Sequence, residues 1–215
     1  VFLDANKQVL AKAVGNFDKT NDGSSLTDFI HQTQDDMDIE RVLGCSARSY
    51  SIDQPLNASD SLYGLYMRKV FPFAFAYNHS KVVVQSTGAL RYSMLKGEVT
   101  VDDVIAVSPF DDLIYLAAQK INGSDILAAF GGDLMQTDTN PRDPPFPYIL
   151  SGSGIEPHRI YDLYAADFDL SEIRRRVQDA TGHTLEPSSL FKDDNGTAVT
   201  TSNVWQSFVV ENWPC

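Results

Sequence analysis

The segment VVVQSTGALRYSMLKGEVTVDDVIAVSPF, residues 82–110, organises the middle of this chain. It opens with a β-branched run, 82–85, which is typical of a buried strand, and continues into the small-residue turn Ser86-Thr87-Gly88. Such a turn lets backbone amides approach an anion closely, and the guanidinium of Arg91 can bind a phosphate through two hydrogen bonds. The alternative is an ordinary turn whose arginine pairs with a surface carboxylate. Phe110 ends the segment, and its ring is either a stacking surface or part of the core.

Strands and helices alternate along the rest of the chain. Thr100 with Asp103 three positions later predicts a capped helix, and the apolar run at 113–121 predicts a strand. The aromatic run PFAFAY at 72–77 is of the kind found in strands. Further strands are expected at 43–52, 148–151 and 160–167, and helices near 26–33, 62–70, 125–130, 172–181 and 204–209, with caps at Ser25, Ser59 or Asp60, Ser124 and Ser202. This mixture predicts the α+β or the α/β class.

Composition limits the kinds of partner this chain can have. Its 215 residues are enough to bury a core, and 17 Lys+Arg against 29 Asp+Glu give a formal net charge of −12. The sequence pI is near 4.6, which excludes general binding to nucleic acid or to an anionic lipid surface. No apolar run reaches the roughly 20 residues that span a bilayer. The first residues carry no signal peptide, so we expect any leader to be absent from this sequence.

Four N-x-S/T sequons point to the secretory pathway. They begin at Asn57, Asn78, Asn122 and Asn195. About one or two would be expected by chance, so the excess favours a secreted or cell-surface glycoprotein over coincidence.

The two cysteines, Cys45 and Cys215, fit an oxidising compartment. There they could pair and tie the end of the chain to its first third. The alternatives are a buried thiol at Cys45, or a partner cysteine in another part of the protein.

Motifs for hydrolysis are missing from the sequence. No two of the four histidines lie within five residues of each other, and no metal-ligand spacing is visible. The sequence contains no P-loop, and Ser151-Gly-Ser-Gly only imitates a serine-hydrolase elbow. We therefore predict no catalytic residue and no metal ligand in this chain.

Three motifs in order give the chain a family resemblance. Ser86 to Arg91 (STGALR), Lys96 to Thr100 (KGEVT) and Ser108-Pro-Phe110, followed by a strand, resemble the N-G-G-G-[IV]-R, G-x-[IV]-T and [LY]-P-F motifs of the 5'-nucleotidase C-terminal domain. The fungal branch of that family is the most similar. The resemblance covers roughly residues 20–180 and is strongest at 82–119. It implies a layered α/β/β/α fold with mixed sheets and flanking helices.

The resemblance also implies a domain organisation. Residues 1–23 would be the tail of a preceding metallophosphatase domain plus linker, and residues 24–215 would be the C-terminal domain with its linker helix. The two divalent metal ions of the family would lie in that preceding domain, so this chain would hold no cofactor.

A nucleotide site follows from the same resemblance. Arg91 would contact the phosphate or ribose of a nucleoside 5'-monophosphate or a related nucleotide, and Phe110 and Phe168 would sandwich its base. Ser86 and Gly88 would form the adjoining turn. Ser86 stands where the family has asparagine, and the family's G-G-D-G-[FY] motif does not follow Phe168.

Two functions are compatible with these residues. The first is the substrate-binding part of a secreted 5'-nucleotidase-like phosphohydrolase. Its parent protein would be a metal-dependent phosphoric monoester hydrolase, this chain alone would be inactive, and its own N-terminal half would be a partner. The second is a stand-alone secreted, non-catalytic binding protein that keeps the fold with a degraded nucleotide site.

Overall fold

The computed structural model describes residues 24–36, 38–131, 134, 147–152 and 154–215. The chain divides into two compact units, Val1–Glu40 and Arg41–Cys215. The described part of the first unit contains the expected helix, α1 (Ser24–Asp36), which begins before the predicted cap at Ser25. The predicted domain tail at 1–23 and most of the proline-rich stretch after Gly131 lie outside the described residues.

The second unit contains two sheets. The smaller sheet pairs β1 (Val42–Ser46) with β3 (Gly97–Thr100) in antiparallel fashion. The larger sheet has the order β5-β2-β6-β4-β7. Its strands are β2 (Lys81–Ser86), β4 (Ile114–Asn122), β5 (Tyr148–Leu150), β6 (Ile160–Ala166) and β7 (Ser189–Leu190). The β2–β6 pair is parallel and the other pairs are antiparallel, so the sheet is mixed, as predicted.

Helices cover both faces of the larger sheet. They are α2 (Leu62–Leu65), a π-helical turn (Tyr66–Val70), α3 (Phe71–Ala74), α4 (Val101–Val107), α5 (Gly123–Phe130), α6 (Asp167–Thr181) and α7 (Thr201–Asn212). Side chains alternate along β2, so that Val83 packs with α2, α4 and α7 while Val82 and Val84 pack with α5 and α6. The α+β class with mixed sheets and flanking helices is thereby confirmed. No described helix is long and apolar enough to cross a membrane.

Local chemistry explains where some helices begin. The predicted capping box is present at α4, where Thr100 Oγ1 accepts from Asp103 N (3.2 Å) and Asp103 Oδ2 accepts from Thr100 N (2.8 Å). Other predicted caps were wrong by one or two positions: Ser61 caps α2, Asn122 lies at the cap of α5, and Thr200 caps α7.

One predicted strand was wrong in kind, and one predicted helix begins earlier than expected. The aromatic run 72–77 is not a strand, because the helical stretch that starts at Leu62 continues through α3. Its apolar side chains face the same core as α7, where Phe73 contacts Phe208 edge-on at 5.8 Å. The helix predicted at 172–181 begins at Asp167, so Phe168 belongs to its first turn and not to the preceding strand.

A disulfide closes the second unit. Cys45 of β1 is bonded to Cys215, with a Cα–Cα distance of 4.8 Å, and the backbone N–H of Cys45 donates to the carbonyl of Trp213 (2.7 Å). A Cβ on Gly44 would collide with that same carbonyl oxygen, so the close approach requires glycine at this position. The last residues of the chain are thus fixed against the smaller sheet.

Candidate functional site

The ends of four strands meet at one edge of the larger sheet. Parallel strands β2 and β6 end there, at Ser86 and Ala166, while antiparallel strands β5 and β4 begin there, at Tyr148 and Ile114. The register places Ser86 opposite Tyr148 and Ile114 opposite Ala166. The carboxyl ends of parallel strands are where open α/β sheets form ligand crevices. The segments that flank these four strand ends are therefore brought together although they are far apart in sequence.

A cavity of about 390 Å³ opens at this edge. All five residues predicted to contact a ligand line it: Ser86, Gly88, Arg91, Phe110 and Phe168. The other lining residues, which were not among the predicted ligand contacts, are Gln85, Ala89, Asp112, Tyr148 and Asp169.

Arg91 and Phe110 form the most informative contact in the cavity. The Arg91 guanidinium carbon lies 5.2 Å from the centre of the Phe110 ring, within range of a cation–π interaction. Phe110 is 43% exposed, so its ring is not a core aromatic. Within the described part of the chain, Arg91 forms no ion pair, which differs from the alternative of an arginine paired with a surface carboxylate. Among the described residues, the hydrogen-bond donors of this guanidinium are therefore available to an anion.

Phe168 supplies the second ring. It lies in the first turn of α6 and is 83% exposed, so its ring does not belong to the core. It reaches the cavity from the end of β6, whereas Phe110 reaches it from the segment before β4. The two rings thus reach the cavity from two different segments of the chain.

The small-residue turn after β2 is held by three neighbours. Asp169 Oδ2 accepts from the backbone N–H of Ser86 (2.7 Å), the Tyr63 hydroxyl donates to the carbonyl of Thr87, and the Thr87 N–H donates to the carbonyl of Pro147 (3.1 Å). A Cβ on Gly88 would meet only Ser86 Oγ, at 4.0 Å, and Gly88 lines the cavity. These bonds fix the turn before any ligand arrives.

The cavity is acidic on one side. Burial raises the pKa of Asp169, although its hydrogen bond from Ser86 opposes that effect. Burial also raises the pKa of Asp112, and the nearby carboxylates of Asp167, Asp169 and Asp111 raise it further. A ligand that suits this cavity therefore offers hydrogen-bond donors to Asp112 and Asp169 and places any negative charge beside Arg91.

Metal-ligand geometry is not found in the described residues, where no three His, Cys, Asp or Glu side chains are arranged to hold an ion. A larger groove of about 560 Å³ lies between β4, the end of α6 and residues 183–187. Its described lining includes Lys120 and His183 but no phenylalanine, tyrosine or tryptophan on which a base could stack. The smaller cavity is the better candidate site.

The four sequon asparagines, Asn57, Asn78, Asn122 and Asn195, are all exposed. Exposure is required for a glycan to be attached. The predicted glycosylation sites are thus sterically accessible.

Comparisons with known proteins agree with this description. Residues 49–124 match the model of the NAD nucleotidase C-terminal domain. A protein of Saccharomyces cerevisiae, YHR202W, is 25% identical over 99 residues, which cover 43% of this chain and 16% of that protein.

Solved structures share the fold. The 5'-nucleotidase of Candida albicans superposes with a TM-score of 0.64 at 16% identity, covering 89% of this chain and 44% of that one. The 5'-nucleotidase precursor of Thermus thermophilus superposes with a TM-score of 0.57 at 14% identity, covering 91% and 41%. This chain therefore spans less than half the length of each of these relatives. The match at residues 49–124 and the shared fold confirm the resemblance: this chain has the fold of the C-terminal domain found in 5'-nucleotidases.

Proposed function

We propose that this chain is the substrate-binding part of a 5'-nucleotidase-like phosphohydrolase and that the cavity beside Arg91 binds a nucleotide. The observation that carries the proposal is the convergence of Arg91, Phe110 and Phe168 on one cavity. Each comes from a different segment of the chain, and none of the three is needed to fill the core.

The chemistry of a nucleotide matches the cavity. A base held between Phe110 and Phe168 gains about 1–3 kcal/mol from stacking, largely independent of which base it is. The Arg91 guanidinium can donate two hydrogen bonds to a phosphate or to ribose oxygens. The acidic side of the cavity suits the hydroxyl and amino donors of a nucleoside.

The rest of the proposal concerns the parent protein. Residues 1–23 would be the tail of a preceding metallophosphatase domain plus linker, and two divalent ions in that domain would polarise the phosphate and activate water. This chain would then supply binding without catalytic groups, and it would associate with its own N-terminal half. The exposed sequons and the disulfide support a secreted or cell-surface location.

A second function is favoured by the acidity of the cavity. Asp112 and Asp169 oppose an anionic ligand, and the turn carries Ser86 in place of the family's asparagine. A non-catalytic binding protein that retains the fold would tolerate both features.

Isothermal titration with AMP tests the first function against the second. Arg91→Ala is expected to weaken AMP binding about 10- to 100-fold, because a hydrogen bond to a charged group contributes about 1.5–3 kcal/mol. Arg48→Ala is the matched control, since Arg48 is also exposed and lies 5.7 Å from the Tyr50 ring, outside this cavity. No heat from AMP at millimolar concentration, or equal loss in the two variants, would favour the non-catalytic binding protein.

A further inference from the structure

Part of strand β4 has no strand beside it on one side. In the larger sheet β4 lies between β6 and β7, but β7 pairs only with Tyr115 and Leu116. Among the described residues, no strand pairs with the outer edge of β4 from Ala117 to Asn122. An unpaired edge exposes backbone N–H and C=O groups, to which another chain can add as a strand. This edge is therefore expected to have a cover or another form of protection.

The groove of about 560 Å³ runs along this edge. Residues 116–122 form one wall, and residues 183–187 with the end of α6 form the other. Arg174 joins the two walls, because its guanidinium donates to the carbonyl of Ala117 (2.6 Å) and to that of Glu186 (2.8 Å). The groove is as large as the sites of about 300–1,000 Å³ that hold small-molecule ligands. Its exposed polar side chains, besides Asn122, are Gln119, Lys120, His183, Thr184 and Glu186. These groups offer both donors and acceptors, which the hydroxyl groups of a sugar require.

A glycosylation sequon lies at the end of the unpaired edge. Asn122 is the last residue of β4, is exposed and lines the groove. The hydroxyl residue of its sequon, Ser124, is also exposed. The side-chain amide of Asn122 donates to Asp125 Oδ2 at 3.5 Å, which is longer than the usual range of about 2.7–3.2 Å. The other three sequon asparagines lie outside the strands. A sugar attached to Asn122 therefore starts beside the free edge.

A rival explanation is that the edge protects itself. Bulges and lysine side chains blunt exposed edges in natural sheets. Strand β4 has both, since Lys120 has a φ of 49° and the register with β6 shifts between Ala118 and Ile121. The backbone N–H of Lys120 donates to Asp162 Oδ1 (3.0 Å), so this bulge is held from the side of β6. The experiment below separates the two explanations.

We propose that an N-linked glycan on Asn122 lies in this groove and covers the free edge of β4. This inference rests on the secreted or cell-surface location in the proposed function and does not depend on nucleotide binding. In the covalent step, Asn122 Nδ2 loses one proton and forms a bond to C1 of the first N-acetylglucosamine. The bond between that carbon and the diphosphate of a lipid-linked oligosaccharide breaks, and the lipid diphosphate leaves with the electron pair.

The first sugar matches the chemistry of the groove. Its acetamido group carries one N–H donor and one C=O acceptor, as each residue of a strand edge does. It can therefore pair with backbone groups at 117–121, while its hydroxyl groups meet Thr184 and Glu186 on the opposite wall. One neutral hydrogen bond to this edge is expected to slow the amide hydrogen exchange of these residues about fivefold.

The test secretes the chain from a yeast host and follows its hydrogen exchange by mass spectrometry. We expect glycopeptide masses to show Asn122 occupied, and residues 117–121 to exchange about fivefold more slowly than in Asn122→Gln. Asn195→Gln is the matched control, because it removes an exposed sequon outside the groove and is expected to leave exchange at 117–121 unchanged. An unoccupied Asn122 would overturn the inference. Equal exchange in the wild-type chain and Asn122→Gln would also overturn it and would favour protection by the bulge alone.

Two further comparisons keep the outcomes distinct. Ser124→Ala destroys the sequon but keeps Asn122, and it is expected to exchange as Asn122→Gln does. If only Asn122→Gln exchanges faster, the substitution and not the lost glycan is responsible, which overturns the inference. Enzymatic removal of the glycan from the folded wild-type chain gives the same comparison if a variant fails to fold.

The nucleotide site is independent of this groove. The groove and the cavity beside Arg91 share no lining residue, so Asn122→Gln is expected to bind AMP as the wild-type chain does. Failure of AMP to bind the wild-type chain would overturn the proposed nucleotide function, whereas the exchange result decides the role of the glycan.

Discussion

Replacing Phe110 separates the contribution of ring stacking to AMP affinity from the contributions of the other residues in the cavity. Phe110→Leu keeps an apolar side chain but removes the flat ring that contacts Arg91 and lines the cavity. Stacking contributes about 1–3 kcal/mol per base, so AMP affinity is expected to fall about 5- to 150-fold. Phe110→Trp retains a flat ring and is expected to bind AMP within about threefold of the wild-type chain, because stacking tolerates a change of aromatic ring.

The fold is expected to survive this change. Phe110 is 43% exposed, and the hydrogen bond that Thr201 Oγ1 donates to its carbonyl (2.7 Å) does not depend on its side chain. We expect a loss of stability below about 1 kcal/mol, compared with about 3–5 kcal/mol for truncation of a buried phenylalanine. The melting temperature should then shift by no more than about 4 °C.

Calorimetry with AMP and thermal unfolding of the same samples provide both measurements. Tyr92→Leu is the control, since Tyr92 is 66% exposed and does not line the cavity. If Phe110→Leu binds AMP as tightly as the wild-type chain, the ring does not stack on the ligand and the reasoning from this cavity fails.

Three further changes test the fold and its electrostatics. Reduction of the Cys45–Cys215 bond, which closes 170 residues of sequence, is expected to destabilise the chain by about 2–5 kcal/mol, and an unchanged melting temperature in reductant would contradict this. Asp112→Asn is expected to raise the melting temperature at pH 7. The pKa of Asp112 is raised in the folded state, so its negative charge lowers the stability of the folded chain. This loss of stability begins as the pH rises above about 4, the ordinary pKa of aspartate. The gain should vanish near pH 3, where both folded and unfolded states are protonated, and a pH-independent gain would point to another cause. Thr100→Ala removes one bond of the capping box at α4 and should lower the free energy of unfolding by about 1 kcal/mol in urea titrations, with Thr184→Ala, exposed in the 183–187 loop, as the comparison.

Some site residues were readable from local sequence. Arg91 and the Ser86-Thr87-Gly88 turn directly follow a β-branched run, so their position at a strand end needed no distant information. Gln85 was missed although a signal existed, because a glutamine that follows three valines in a buried strand must have a polar neighbour. Asp169 had no such signal, since its hydrogen bond to Ser86 joins residues 83 positions apart.

Helix boundaries show a similar limit. The later part of α6 was predicted, but its first turn, with Asp167 and Phe168, was assigned to the preceding strand. Aromatic run 72–77 was misread because an apolar aromatic sequence suits a buried helix as well as a strand. Burial against α7 decided between the two, and burial is not a local property.

The sequence by itself determined the class of fold, the buried strand at 82–85, the capped helix after Thr100 and the residues able to bind an anion or stack on a base. These depend on interactions between near neighbours in the chain, which hydrogen bonding and periodicity make visible. Only the tertiary structure decided that Arg91, Phe110 and Phe168 share a cavity, and that Gln85 and Asp169 are among its other lining residues. The physical reason is the pairing of β2 with β6 in parallel and of β4 with β6 in antiparallel, which sets distant strand ends at one edge of the sheet.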